Sequence, residues 1–124
     1  MLRPIDLSEL ERRGHRFTLT ESTGETLVVL SGVATPSGLA PRNVDVLIRI
    51  PSLFPAVNPD MFWVAPAITR DSGGVIVATQ VTENLVGRPW QRWSRHLQPS
   101  QWRPDCDDLG TYLDIVLQCM RAVA

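Results

Sequence analysis

The chain reads as an α+β domain: an N-terminal helix, a four-stranded antiparallel meander, a long irregular loop, and a C-terminal helix packed on the sheet. Three observations predict this. Asn43-Val-Asp-Val-Leu-Ile-Arg-Ile50 sets Val44, Val46, Ile48 and Ile50 on one face, with Asp45 and Arg49 on the other. That period of two belongs to a sheet with one covered and one wet face. Leu109, Tyr112, Leu113, Val116, Leu117 and Met120 recur at helical spacing and make a single apolar stripe. Helix signals stand at the two ends and strand signals between them, the order in which a helix covers one sheet face.

The first helix is read over Pro4 to Arg13, with Ile5 or Leu7 and Leu10 toward the core, acidic residues early and Gly14 as a stop. Arg16-Phe-Thr-Leu-Thr20 alternates as a first strand. Ser22-Thr-Gly-Glu25 turns the chain, and Glu25 to Val33 is the second. After the loop Pro36 to Pro41 comes the Asn43–Ile50 strand. Pro51-Ser-Leu-Phe-Pro55 and Asn58-Pro59-Asp60 then force an extended, turn-rich connection, because a residue preceding proline is pushed out of the α region. Met61-Phe-Trp-Val-Ala65 makes a short fourth strand. Residues 66 to 101 carry no firm pattern beyond a small strand expected at Val75 to Ala78. A long segment of this kind inside a compact domain is usually functional. The last helix is expected to run from Asp105 to Ala124, after Pro104, with Asp105 as its cap and Asp107 and Asp108 at its positive end.

Length and composition narrow the function classes. At 124 residues the chain is read as one domain, 1–124. Hydrophobic residues at 44% and charged ones at 20% describe an ordinary globule rather than a disordered chain. A net charge of −1 argues against affinity built on neutralising phosphates, so no nucleic acid is expected as partner. No apolar run approaches a membrane span and the N-terminus lacks a signal-peptide core, which predicts a cytoplasmic protein with no membrane partner. The two cysteines, Cys106 and Cys119, would sit about 20 Å apart on one helix, too far to bridge. Neither Cys-x-x-Cys nor His-x-x-x-His occurs, so no metal and no cofactor is expected. All basic residues are arginine.

The densest motif is Arg88-Pro-Trp-Gln-Arg-Trp-Ser-Arg-His96, followed by Trp102-Arg-Pro104. Two roles are open for it. The indoles of Trp90, Trp93 and Trp102 can pack the long loop on the sheet while arginines stack on them. Alternatively Trp90, Trp93, Arg95, Trp102 and Arg103 form a partner-binding surface, since Trp and Arg dominate many interfaces.

The layout and these motifs together resemble the ubiquitin-conjugating enzyme (UBC) fold, and more narrowly the bacterial UBC-like families that accompany ubiquitin-like proteins. Ile50-Pro-Ser-Leu-Phe-Pro55 with Pro59-Asp60 is similar to the proline-bounded turn before the fourth strand. Trp102-Arg-Pro104 resembles the Trp-x-Pro that precedes the crossing helix. Trp90-Gln-Arg-Trp-Ser-Arg-His96 and Asp107-Asp-Leu-Gly-Thr-Tyr-Leu113 are similar to the signature of a bacterial subgroup. The resemblance implies a component of a ubiquitin-like conjugation system, with a ubiquitin-like protein and an adenylating activating enzyme as partners. Two departures count against conventional chemistry. The thioester cysteine of conventional members lies eight residues before that Trp, where this chain has Ser94, and the His-Pro-Asn that supplies their oxyanion donor is absent.

Three residues remain as candidate catalytic groups. Cys106, in the expected first turn of the last helix, would gain thiolate character from the helix dipole, against the charge of Asp105, Asp107 and Asp108. Ser94 and His96, if both lie on a strand, share a face, which would let the imidazole act as base for the hydroxyl. Cys119 is read as a packed thiol and His15 as a solvated cap. The sequence therefore favours a divergent or non-catalytic conjugating-enzyme homologue. The alternatives are a protein-binding module on the same scaffold and a Ser94 hydrolase, the latter without a Gly-x-Ser-x-Gly elbow.

Overall fold

The computed structural model describes all residues 1–124. Helix α1 spans Pro4–Arg12. It starts at a proline whose missing N–H is no loss there. Asp6 bonds back to the Arg3 backbone N–H at 2.8 Å. Strands β1 (Arg16–Ser22), β2 (Glu25–Ala34), β4 (Asn43–Pro51) and β5 (Phe62–Ala65) form the expected antiparallel meander. The β1–β2 turn is the two-residue Thr23-Gly24, with Gly24 at φ +75°. Short β3 (Leu39–Ala40) and β6 (Thr69–Arg70) pair by themselves beside the main sheet.

The sheet is larger than the sequence suggests. Two further strands, β7 (Thr82–Leu85) and β8 (Arg88–Trp93), make a hairpin, and the six-stranded order is β1-β2-β4-β5-β8-β7. Strands thus occupy a third of the segment read as a long irregular loop. The hairpin turns through Val86-Gly87, both at positive φ (51° and 77°). A β-branched residue is costly there, so the turn is invisible to turn chemistry based on Asn-Gly or Asp-Gly. Conversely, Val75–Ala78 is not a strand. Two of its carbonyls accept from side chains instead: Arg70 Nη1 donates to Val75 at 2.8 Å and Thr79 Oγ1 to Ile76 at 2.9 Å.

Helix α2 spans Leu109–Val123 rather than starting at Asp105. The cap is Asp108, whose side chain accepts from the Thr111 N–H at 3.0 Å while Thr111 Oγ1 accepts from the Asp108 N–H at 2.9 Å. A reciprocal box outcompetes a lone aspartate three residues earlier. Its apolar stripe (Leu109, Tyr112, Leu113, Val116 and Met120) lies buried against Val28, Leu30, Val46, Ile48 and Phe62 of the sheet. Leu117 is only half-buried.

Helix α1 meets α2 at its N-terminus. Asp6, 0% exposed, accepts from the Leu109 N–H at 2.9 Å, and Arg3 Nη2 donates to the Asp107 carbonyl at 3.1 Å. Buried Asp6 holds the inward position that the sequence predicts for Ile5 or Leu7; Ile5 is exposed and Leu7 half-buried. Close approach also needs Gly110, where an added Cβ would come within 2.7 Å of Arg13 Nε. No helix is long and apolar enough to cross a membrane.

Candidate functional site

The Trp/Arg motif divides at the end of β8. Within the strand, Trp90 and Trp93 point to opposite sides of the sheet and are 2% and 0% exposed; Trp102, beyond it, is 7% exposed. Every indole N–H finds an acceptor: Trp90 donates to the Leu85 carbonyl at 2.8 Å, Trp93 to Gln91 Oε1 at 2.9 Å, and Trp102 to the Pro55 carbonyl at 2.8 Å. Trp93 stacks on Phe62 with ring centroids 5.3 Å apart. Trp102 lies between Phe54 and Tyr112, clamping the proline-bounded turn to α2. Of the five residues read as a partner surface, the three indoles are interior. Arg95 is half-buried with its guanidinium over Trp93, 5.1 Å from the ring centroid, and Arg103 is exposed. Whatever touches this surface meets arginine.

Ser94 and His96 do not share a strand face. β8 ends at Trp93. Ser94 sits in a tight turn in which the Arg95 N–H donates to the Trp93 carbonyl at 3.0 Å, and its own N–H donates to the Ala78 carbonyl at 3.0 Å. No hydrogen bond joins its hydroxyl to His96. The imidazole instead meets a residue 36 positions away: His96 Nδ1 is 2.6 Å from Asp60 Oδ1. The sequence signal for Asp60 is only its place after Pro59, in a turn that reads as structural.

The backbone holds the two halves of this pair. The last ladder pair is Phe62 with Trp93. Beyond it, past the turn at Ser94, the Met61 N–H donates to the Arg95 carbonyl at 3.1 Å. That bond ties the residue after Asp60 to the residue before His96, which places the two side chains opposite each other. Met61 has φ +60°, and its carbonyl accepts from the buried Tyr112 hydroxyl at 2.8 Å. Burial pushes the Tyr112 hydroxyl well up from the usual phenol range, so it stays a donor.

A cavity of about 250 Å³ opens beside the pair, between the 95–101 segment and α2; its lining includes Phe62, Arg95, His96, Tyr112, Ile115 and Cys119. Cys119 is half-buried, and that burial, opposed by nearby Arg95, pushes its thiol up. Cys106 lies elsewhere. It is exposed on the turn after Trp102, its N–H donating to the Arg103 carbonyl at 2.9 Å, three residues before α2 begins. Cys106 is therefore not in the first turn of the last helix, where the sequence places it. His15 is half-buried rather than solvated, and burial with Arg13 nearby pushes its imidazole down. No cluster of three or more His, Cys, Asp or Glu side chains has metal-binding geometry.

No curated protein and no solved structure matches this chain. One family model does, that of the Prokaryotic E2 family E, and it aligns with residues 2–122, from just before α1 to the last turn of α2. The helix–meander–helix layers, the clamp of Trp102 on the proline turn and this near-complete match agree, and the chain belongs to the Prokaryotic E2 family E, a bacterial UBC-like family.

Proposed function

We propose that this protein is a UBC-like component of a bacterial ubiquitin-like conjugation system that works with an adenylating activating enzyme and a ubiquitin-like protein, without carrying the acyl group on a thiol of its own. Family membership supports the system. The placement of the two thiols supports the second half, and it is the observation that carries this reading. An acyl carrier needs a thiolate at neutral pH, in reach of a partner. Cys106 is exposed but lies outside α2, in a turn whose sequence neighbours are Asp105, Asp107 and Asp108. Cys119 lines the cavity, but its raised pKa keeps it protonated. Ser94 occupies the conventional carrier position with no base bonded to its hydroxyl. The protein then acts by docking its partners, with Arg95 and Arg103 as the accessible part of the Trp/Arg surface. The cytoplasm, which supplies ATP to an adenylating enzyme and keeps thiols reduced, is its compartment.

The test is an intact-mass measurement on tagged protein recovered from its own host, once natively and once under acidic denaturing conditions. The expected result is an unmodified chain, with a ubiquitin-like protein and an adenylating enzyme identified in the native fraction. An adduct released by thiols would make Cys106 or Cys119 a carrier. One that resists thiols and yields to hydroxide would make Ser94 the carrier. Either overturns the docking reading. Recovery without a ubiquitin-like protein would favour a binding module that uses this scaffold outside conjugation.

A further inference from the structure

We propose that Asp60 and His96 form a proton-transfer dyad that promotes acyl transfer at the mouth of the cavity beside α2, with His96 as the general base and Asp60 as its positioning residue. The acyl donor is an ester or thioester. Only the identity of that donor, a thioester borne by a partner, rests on the conjugation reading above.

Three observations carry this. First, the pair is held by more than its own contact. The residue after Asp60 and the residue before His96 are joined through the backbone, Met61 N–H to Arg95 carbonyl at 3.1 Å, and the turn between Trp93 and Arg95 is itself pinned by the Ser94 N–H on the Ala78 carbonyl at 3.0 Å. A surface ion pair on two free side chains has no such framework. Second, Met61 occupies the left-handed region at φ +60° without being glycine or asparagine, and is secured there on both its N–H and its carbonyl. Strained backbone that the surroundings over-determine clusters at functional sites. Third, the carboxylate takes Nδ1, at 2.6 Å, which makes Nδ1 the protonated nitrogen of the neutral ring and leaves the Nε2 lone pair without a partner in the chain. The side chains of His96 and Asp60 are 63% and 57% exposed, open to a macromolecular substrate.

The cavity supplies the rest. Phe62 and Ile115 give it apolar wall, and Arg95 gives it a guanidinium that no carboxylate neutralises, its one bond being from Nη1 to the Ser94 carbonyl at 3.3 Å. Such a cation suits an oxyanion developing on an attacked carbonyl. In the step itself, His96 Nε2 takes the proton of an attacking water or amine as the new bond forms to the carbonyl carbon. The C–S or C–O bond then breaks, its electron pair leaves with the sulfur or oxygen, and the imidazolium returns the proton to that leaving group. The products are the acid or amide and a free thiol or alcohol. Neither Ser94 nor a metal enters the balance.

The test uses the full chain with both cysteines replaced (Cys106→Ala, Cys119→Ala), so that no thiol competes, and S-phenyl thioacetate as the probe. Thiophenol release is expected to fall by about 100-fold in His96→Gln and about 10-fold in Asp60→Asn, and to stay unchanged in Ser94→Ala. A second readout reports on the ring directly: long-range ¹H–¹⁵N spectra at pH 8 should show His96 as the Nδ1–H tautomer, lost in Asp60→Asn. All three side chains are outside the core, and circular dichroism checks that each variant folds. Equal thioester rates in the parent and His96→Gln, or a tautomer indifferent to Asp60→Asn, overturn the proposal. An active dyad in a protein that recovers no ubiquitin-like partner would defeat the conjugation reading alone; partner recovery with an inert dyad would do the reverse.

Discussion

The two faces of the sheet hide their tryptophans by different means. On the inner face α2 lies across β2, β4, β5 and β8, and a cluster of 21 buried residues forms that includes Trp93 and Met120. On the outer face only Leu27, Leu47, Trp63, Ala65 and Trp90 are buried, and no helix covers them. Arginines do. Arg49 stacks over Trp63 at 5.4 Å and pairs with Glu25 at 2.7 Å. Arg88 stacks over Trp90 at 4.6 Å and pairs with Asp45 at 2.9 Å, while Arg92 reaches Glu83 at 2.9 Å. A wet face can therefore bury an indole to 1% exposure, as at Trp63, under a planar cation and its stem. Lysine, a compact ammonium without a plane to stack, would cover it less well. At these positions the arginine-only composition has a structural use.

The comparison can be broken most directly at its two tryptophans. Trp93→Ala should cost about 4 kcal/mol in urea unfolding and Trp63→Ala about 3, because a site roofed by flexible arginines collapses more readily than one under a helix. A reversed order would show that the outer face is packed as rigidly as the core. Next comes the anchor of the inner layer. Asp6→Ala leaves the buried Leu109 N–H without an acceptor and should cost about 2 kcal/mol, with α2 exchanging amide hydrogens faster at its first turn.

The roof itself is worth less. Arg49→Lys should cost about 1 kcal/mol, since the ion pair is a third exposed and solvent-screened while the stacking is lost outright. In 1 M salt the part due to Glu25 should vanish and the stacking part persist. The smallest effect concerns Glu9, which Arg12, and less strongly Arg13, hold down to about 2 from an ordinary 4.5. A folded value below the unfolded one stabilises above the unfolded value and loses that contribution as pH falls from about 4.5 to about 2. Stability measured across that window should decline less in Glu9→Gln than in the parent.

How legible a segment was depended on whether its partners were local. The β4 alternation, the α2 stripe and the β1–β2 turn at Thr23-Gly24 were readable because each is set by neighbours in sequence. The resemblance of Trp102-Arg-Pro104 and the proline turn was readable for the same reason, as short motifs. The β7–β8 hairpin was not, because its turn is Val86-Gly87 and valine argues against positive φ. The α2 start was misplaced because three aspartates compete for one cap and only Asp108 has Thr111 in position to answer it. At the candidate site, His96 was visible as an ionisable residue beside a serine. Its partner Asp60 was not, being 36 residues away across a strand pair that sequence alone does not register.

The sequence by itself determined the layers: two helices at the ends, an antiparallel meander between, and which face of β4 and α2 turns inward. Periodicity decides these, since an apolar stripe must be buried wherever it falls. It also determined that two cysteines and no lysine would serve whatever chemistry the chain performs. Tertiary structure alone decided that the indoles are buried on both faces of the sheet, that Cys106 stands outside the helix, and that the turn after β8 brings His96 to Asp60. These outcomes depend on pairings between distant segments, where a shift of one residue in register changes which side chains meet.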